Sequence, residues 1–161
     1  MITEYINHTR NRSYMSGIER DKIRIKQNAE IFTPTKSVIR KLDDLEKYHS
    51  DIFNDTKKRI LDPTCGDGQF LSEVVIRKIE RSNCTLEQAL STTYGVELME
   101  DNVKLCKERL GGPTPTQEIL DILDKNIVCA DALKYHYRFD GTPPYTTEEE
   151  LKMEEFFSFD K

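Results

Sequence analysis

The sequence predicts an α/β domain, a parallel sheet of about three short strands with flanking helices. Two patterns point there. Apolar segments at 59–61, 93–98 and 126–130 are too short for helices and alternate with stretches whose apolar residues recur every three or four positions. A glycine-bearing turn, Asp62-Pro63-Thr64-Cys65-Gly66-Asp67-Gly68, leads from the first strand straight into the next helix. Strands separated by helices pair in parallel through right-handed crossovers. A length of 161 residues with 37% hydrophobic content suits one core and not two full domains.

Taken in order, residues 1–28 lack sustained periodicity, contain Gly17, and read as an N-terminal arm or short helix. Their Arg10, Arg12, Arg20, Lys22, Arg24 and Lys26 are interleaved with acids, the pattern of a solvated face or of a local phosphate contact. Pro34 pushes Thr33 towards an extended conformation, and Thr35 is placed to cap a helix carrying Val38, Ile39, Leu42 and Leu45. A polar stretch at 48–55 ends it, and the first strand follows. From Gln69, the spacing of Phe70, Leu71, Val74, Val75 and Ile79 predicts a helix to about Ser82 or Asn83. Thr85 reads as the N-cap of a short helix, with Glu87 and Gln88 near the capping-box position. The second strand precedes a helix over 100–110 that Gly111-Gly112-Pro113 stops. A further helix at 116–125 leads into the third strand, which ends at Asp131. Beyond Lys134 the rhythm is lost. The chain thus divides into an N-terminal arm (1–28), an α/β domain (29–135) and an acidic, aromatic tail (136–161).

Composition narrows the function classes. A net charge of −5 argues against a whole-surface affinity for nucleic acid, because phosphate contacts need clustered Lys and Arg. No apolar run approaches the roughly 18 residues of a membrane helix. The N-terminus lacks the apolar core of a secretory signal, so a cytoplasmic location is expected. Cys65, Cys84, Cys106 and Cys129 form no C-x-x-C pair, and reduced thiols are expected of them.

Asp62, Glu97 and Asp131 each follow the apolar part of a predicted strand. In an open parallel sheet, ligands bind in the crevice beyond the carboxyl ends of the strands, so all three acids are expected to face one crevice. Gly66 and Gly68 allow φ > 0 and a close approach to a ligand, while Pro63 stiffens the exit from the strand. The turn matches neither G-x-x-x-x-G-K-[ST] nor G-x-G-x-x-G, and Asp67 would repel a pyrophosphate. An acid-lined pocket prefers a ligand with donors or positive charge. S-adenosylmethionine has an ammonium, a sulfonium, ribose hydroxyls and an adenine amine, and Glu97 stands where an acid commonly takes ribose hydroxyls. The bland alternatives are a structural turn at 62–68, exposed helix-start acids, and a core role for Phe70.

Four segments, IFTPTKSVIRKL, LDPTCGDGQFL, YGVELME and NIVCADAL, together resemble a known family. It is the amino-type DNA methyltransferases that act on adenine N6, particularly the subclass of type I and stand-alone restriction-modification systems. The resemblance covers roughly residues 30–135 and implies the cofactor-binding part of a Rossmann-like S-adenosylmethionine-dependent fold, here reduced or partial. It implies that Phe32, Thr33 and Pro34 contact the methionine part and that Asp62, Pro63, Gly66, Gly68 and Phe70 form the glycine motif. Glu97 would hold the ribose hydroxyls and Asp131 the adenine amine, with Leu98 and Ala132 as neighbours of the adenine.

The departure lies at the catalytic end. The family reads its target base with (D/N/S)-P-P-(Y/F/W) after a fourth hydrophobic strand, stacking the aromatic on a flipped base. Here the tetrapeptide is Thr142-Pro143-Pro144-Tyr145, with a hydroxyl in place of the side-chain carbonyl or carboxylate and no apolar run before it. By resemblance these four residues are the catalytic set. Only 16 residues follow Tyr145, against about three further strands in the family. The first strand would then be an open edge, an association site: a second chain (a second copy or a partner subunit) completes the sheet, the C-terminal segment covers it, or it stays a reduced sheet of about three strands. The functional expectations are a DNA adenine methyltransferase or the cofactor-binding half of a split one, with DNA as partner. The alternative is a non-catalytic module that binds the cofactor or a partner. Methylation of RNA or protein stays open, as does a dinucleotide dehydrogenase, in which the F-T-P segment and P-P-Y trace have no role.

Overall fold

A computed structural model describes residues 2–11 and 33–145. Phe32, most of the predicted arm and the acidic tail beyond Tyr145 lie outside the described residues. Helix α1 (Ile2–Asn11) is followed by α2 (Thr35–Tyr48), β1 (Ile60–Asp62), α3 (Gln69–Ser82), α4 (Leu86–Ser91), β2 (Thr93–Glu97), α5 (Glu100–Gly111), α6 (Gln117–Asn126) and β3 (Ile127–Cys129). The three strands form one parallel sheet in the order β1-β2-β3, with Asp62 opposite Gly95 and Glu97 opposite Cys129. The expected α/β class and the strand–helix order hold.

Local signals account for most boundaries. Thr85 and Gln88 make a reciprocal capping box at α4, and Thr116 accepts the Ile119 N–H at the start of α6. Asn83, in the left-handed region at φ 54°, ends α3. Thr35 departs from expectation. It is the first helical residue of α2 and not its cap; Pro34 stands at the cap position, its carbonyl accepting the Ser37 and Val38 N–H groups at 2.8 and 3.1 Å. The Thr35 hydroxyl instead accepts from Gln69 Nε2 at 2.8 Å, so it is spent on tertiary structure.

Alternation along the strands gives the sheet two differently covered faces. One face carries Gly95, Ile127 and Cys129 and packs against helices. Its core joins Leu71, Val75 and Ile76 of α3 with Ala89 and Leu90 of α4, Cys106 and Leu110 of α5, and Ile119 and Leu123 of α6. Tyr5 of α1 enters the same core, donating its hydroxyl to the Leu110 carbonyl at 3.0 Å. Gly95 is obligatory here: a Cβ would lie 2.8 Å from both Cys65 Sγ and Leu71 Cδ1. Helix α2 adds a satellite core of Val38, Leu42, Phe53 and Val74, against which Phe70 packs.

The other face has no helix over it among the described residues. Val96, Val128 and Ala130 pack instead against Tyr135, Phe139 and Tyr145 of the segment following β3. Tyr94 and Phe139 have ring centroids 4.8 Å apart. Tyr137 and Phe139 both adopt positive φ, 53° and 50°, which costs bulky residues of order 1–3 kcal/mol each. Packing and hydrogen bonds hold them: Phe139 N–H donates to the Tyr135 hydroxyl at 2.8 Å, and the Tyr137 hydroxyl to the Ala132 carbonyl at 2.6 Å. Leu61, on this face of β1, stays 44% exposed.

Candidate functional site

The turn after β1 folds back over the carboxyl end of β2. Cys65 N–H donates to the Val96 carbonyl at 2.9 Å, and Gly66 N–H to Glu97 Oε2 at 3.0 Å. Glu97 Oε1 accepts the Met99 N–H at 2.9 Å, and Asn102 Nδ2 lies 3.5 Å from it. Glu97 is therefore clamped between the glycine turn and the start of α5. Asp62 caps its own turn, Oδ1 accepting the Thr64 N–H at 3.0 Å. Burial raises the Asp62 pKa and the negative charge of Glu97 adds to the rise, against the lowering effect of the Thr64 N–H. Among the described residues no Lys or Arg pairs with Asp62 or Glu97. Two neighbouring carboxylates, one of them half-desolvated, favour a ligand that brings an ammonium or hydroxyl donors. Glu97 Oε2 accepts the Gly66 N–H and has a second acceptor direction for such a donor.

The two glycines of the turn have different jobs. Both lie in the left-handed region, Gly66 at φ 54° and Gly68 at φ 84°. A Cβ on Gly68 would sit 2.7 Å from Cys106 Sγ and 3.3 Å from Cys106 Cα, so the close approach it permits is to α5. Gly66 turns its N–H to Glu97. Asp67 between them requires a correction: it does not face a ligand as a repelling charge. Its carboxylate is buried against the Arg109 guanidinium, with 3% and 2% of the two side chains exposed. Arg109 also donates to Gln69 Oε1 at 2.6 Å and to the Thr9 carbonyl at 3.3 Å. Arg10 forks onto buried Glu73 of α3 at 2.9 Å through both Nε and a terminal nitrogen.

Of the remaining cofactor candidates, Phe32 lies outside the described residues and Phe70 packs in the core under α2. Thr33 is half-buried and Pro34 exposed, and the Thr35–Gln69 bond ties them to the first residue after the glycine turn. Pro63 is exposed on the turn, and Leu98, just beyond β2, is 39% exposed. Asp131 closes a turn of its own, Oδ1 accepting the Leu133 N–H at 2.9 Å, with Lys134 Nζ 4.0 Å from Oδ2. Ala132 packs under Val96 and Tyr135. Asp131 thus stands at the end of β3, one strand beyond Glu97.

The tetrapeptide lies along β3. Thr142, Pro143 and Pro144 line a shallow cavity of about 370 Å3 with Val103 and Lys107 of α5 and Val128 and Cys129 of β3. The Thr142 hydroxyl donates to Asp140 Oδ1 at 2.6 Å, and the Pro143 carbonyl accepts from Arg138 at 2.7 Å. The Tyr145 hydroxyl receives the backbone N–H of Asp131 while its ring packs with Val96 and Ala130. Asp131 and Tyr145 are thus in contact, whereas Thr142 to Pro144 lie on the far side of β2 from Asp62. Comparisons with protein-family models, curated proteins and solved structures gave no match for the chain.

Proposed function

We propose that this chain is an S-adenosylmethionine-binding protein related to the DNA adenine-N6 methyltransferases, and that it supplies the cofactor-binding part of a split or truncated enzyme. The observation that carries the reading is the Gly66 N–H bond to Glu97. It joins a left-handed glycine turn to an acid at the end of the neighbouring strand, beside a second acid, Asp62, with a raised pKa. That arrangement suits a ligand with an ammonium at one end and a sugar in the middle. Asp62 would face the ammonium, Glu97 the ribose hydroxyls and Asp131 the adenine amine. The bound cofactor would supply an electrophilic methyl group, and the protein's contribution would be positioning. A second chain along β1, which pairs only with β2 in the described sheet, would complete the sheet.

A specific observation favours a second reading, a non-catalytic cofactor- or partner-binding module. Two parts that the reaction needs are already engaged within the chain: the Pro143 carbonyl accepts from Arg138, and the Tyr145 ring, which would stack on the base, is packed against Val96 and Ala130 with its hydroxyl on the Asp131 N–H. Incubating the protein with methyl-labelled S-adenosylmethionine and unmethylated DNA, alone and with a candidate partner subunit, separates the two. Methylated adenine supports the enzyme. Cofactor binding without transfer in either mixture selects the module.

A further inference from the structure

The glycine turn and the segment preceding α2 are far apart in sequence, yet one side chain bridges them. Gln69, 5% exposed, follows Gly68 and opens α3. Its Oε1 accepts from Arg109 at 2.6 Å and its Nε2 donates to the Thr35 hydroxyl at 2.8 Å. Arg109 can only donate, so it fixes which end of the Gln69 amide faces α5 and which faces α2. The same guanidinium holds Asp67, between the two glycines, and touches the Thr9 carbonyl of α1. One buried donor therefore orients the glycine turn directly and the start of α2 through Gln69.

From this geometry we infer that Gln69 and Thr35 are positioning residues of the ligand crevice: the Arg109–Gln69–Thr35 relay sets Thr33 and Pro34 against the β1 end of the site. The inference rests on the cofactor reading above and refines it. The relay ends on α2, whose Val38 and Leu42 share a core with Ile60 of β1, whereas Glu97 ends β2 and Asp131 follows β3. With the ribose at Glu97, the amino-acid end of the ligand lies on the relay's side and the adenosine part beyond it. Disturbing the relay weakens the first contact and spares the second.

Thr35→Val removes the acceptor hydroxyl and preserves shape, and Thr35→Ser restores it. Calorimetric titration with S-adenosylhomocysteine and with adenosine then gives two constants per protein. Thr35→Val is expected to weaken S-adenosylhomocysteine about five- to tenfold, the scale of one hydrogen bond, and adenosine less than twofold, with recovery in Thr35→Ser. Unchanged S-adenosylhomocysteine affinity, or equal losses for both ligands, overturns the inference. Hydrogen exchange at residues 33–38 decides the relay without any ligand: faster exchange in Thr35→Val than in wild type supports it, and identical exchange overturns it. Wild-type protein that binds neither ligand overturns the cofactor reading, and the exchange comparison still judges the relay.

Discussion

The two faces of the sheet are built from different materials. The helical face is closed by aliphatic side chains and by buried charges that are each answered: Asp67 by Arg109, Glu73 by Arg10, and Lys78 Nζ by the Lys58 and Thr92 carbonyls and the Thr92 hydroxyl at 2.7–3.0 Å. The other face is closed by one irregular segment whose aromatic rings bury Val96 and Ala130 and whose backbone is held in the left-handed region at two aromatic residues. The crevice acids stand where the two faces meet. The glycine turn and Glu97 are held from the helical face, while Tyr145 of the tetrapeptide is used as covering for the other.

The largest test of this contrast is Asp67→Ala. It leaves the Arg109 charge buried without its carboxylate and is expected to cost about 3–5 kcal/mol in urea denaturation. Lys78 gives the next. Burial holds its pKa down at about 8, against 10.5 for an ordinary lysine, so between those pH values the unfolded state binds the extra proton. Wild-type stability therefore rises relative to Lys78→Met from about pH 8 to 10.5 and keeps a constant difference below pH 8. Denaturation midpoints of the pair across that range check the sign. On the other face Tyr145→Phe removes a single hydroxyl that meets the Asp131 N–H, and a loss of only about 1 kcal/mol is expected. The smallest change is at the junction and has the opposite sign. Because the folded state raises the Asp62 pKa, its ionised form loses stability as pH rises through the carboxylate range, and Asp62→Asn is expected to melt higher than wild type at pH 7. A lower melting temperature would show that Asp62 is a structural capping residue first.

How much of this was legible follows from which signals are local. The helix of Gln69–Ser82 and the capping box at Thr85 are written in neighbouring residues, and their expected positions match. The alternation of strands and helices likewise carries the parallel sheet. Asp67 departs from expectation because its partner is distant: a charge between two glycines looks solvent-facing until α5 is placed beside it. A signal existed in Arg109, which falls on the stripe of Cys106 and Leu110, where a charge implies a buried counter-charge. Thr35 departs from expectation because capping and tertiary hydrogen bonding use the same hydroxyl, and only packing against Gln69 decides between them. The folding of residues 132–145 over the second face had no periodicity to announce it. Its order comes from ring contacts and from bonds between side chains and backbone.

The central claim is that Asp62, Glu97 and Asp131 form one ligand crevice, and equilibrium titration of S-adenosylhomocysteine tests it most directly. Wild-type protein is expected to bind saturably at one site and to be stabilised in proportion to RT ln(1 + [L]/Kd). Glu97→Gln and Asp131→Asn should each weaken binding about tenfold while the proteins stay folded, as loss of a charged hydrogen-bond partner requires. Absence of saturable binding at millimolar ligand, or binding that neither substitution disturbs, would contradict the account.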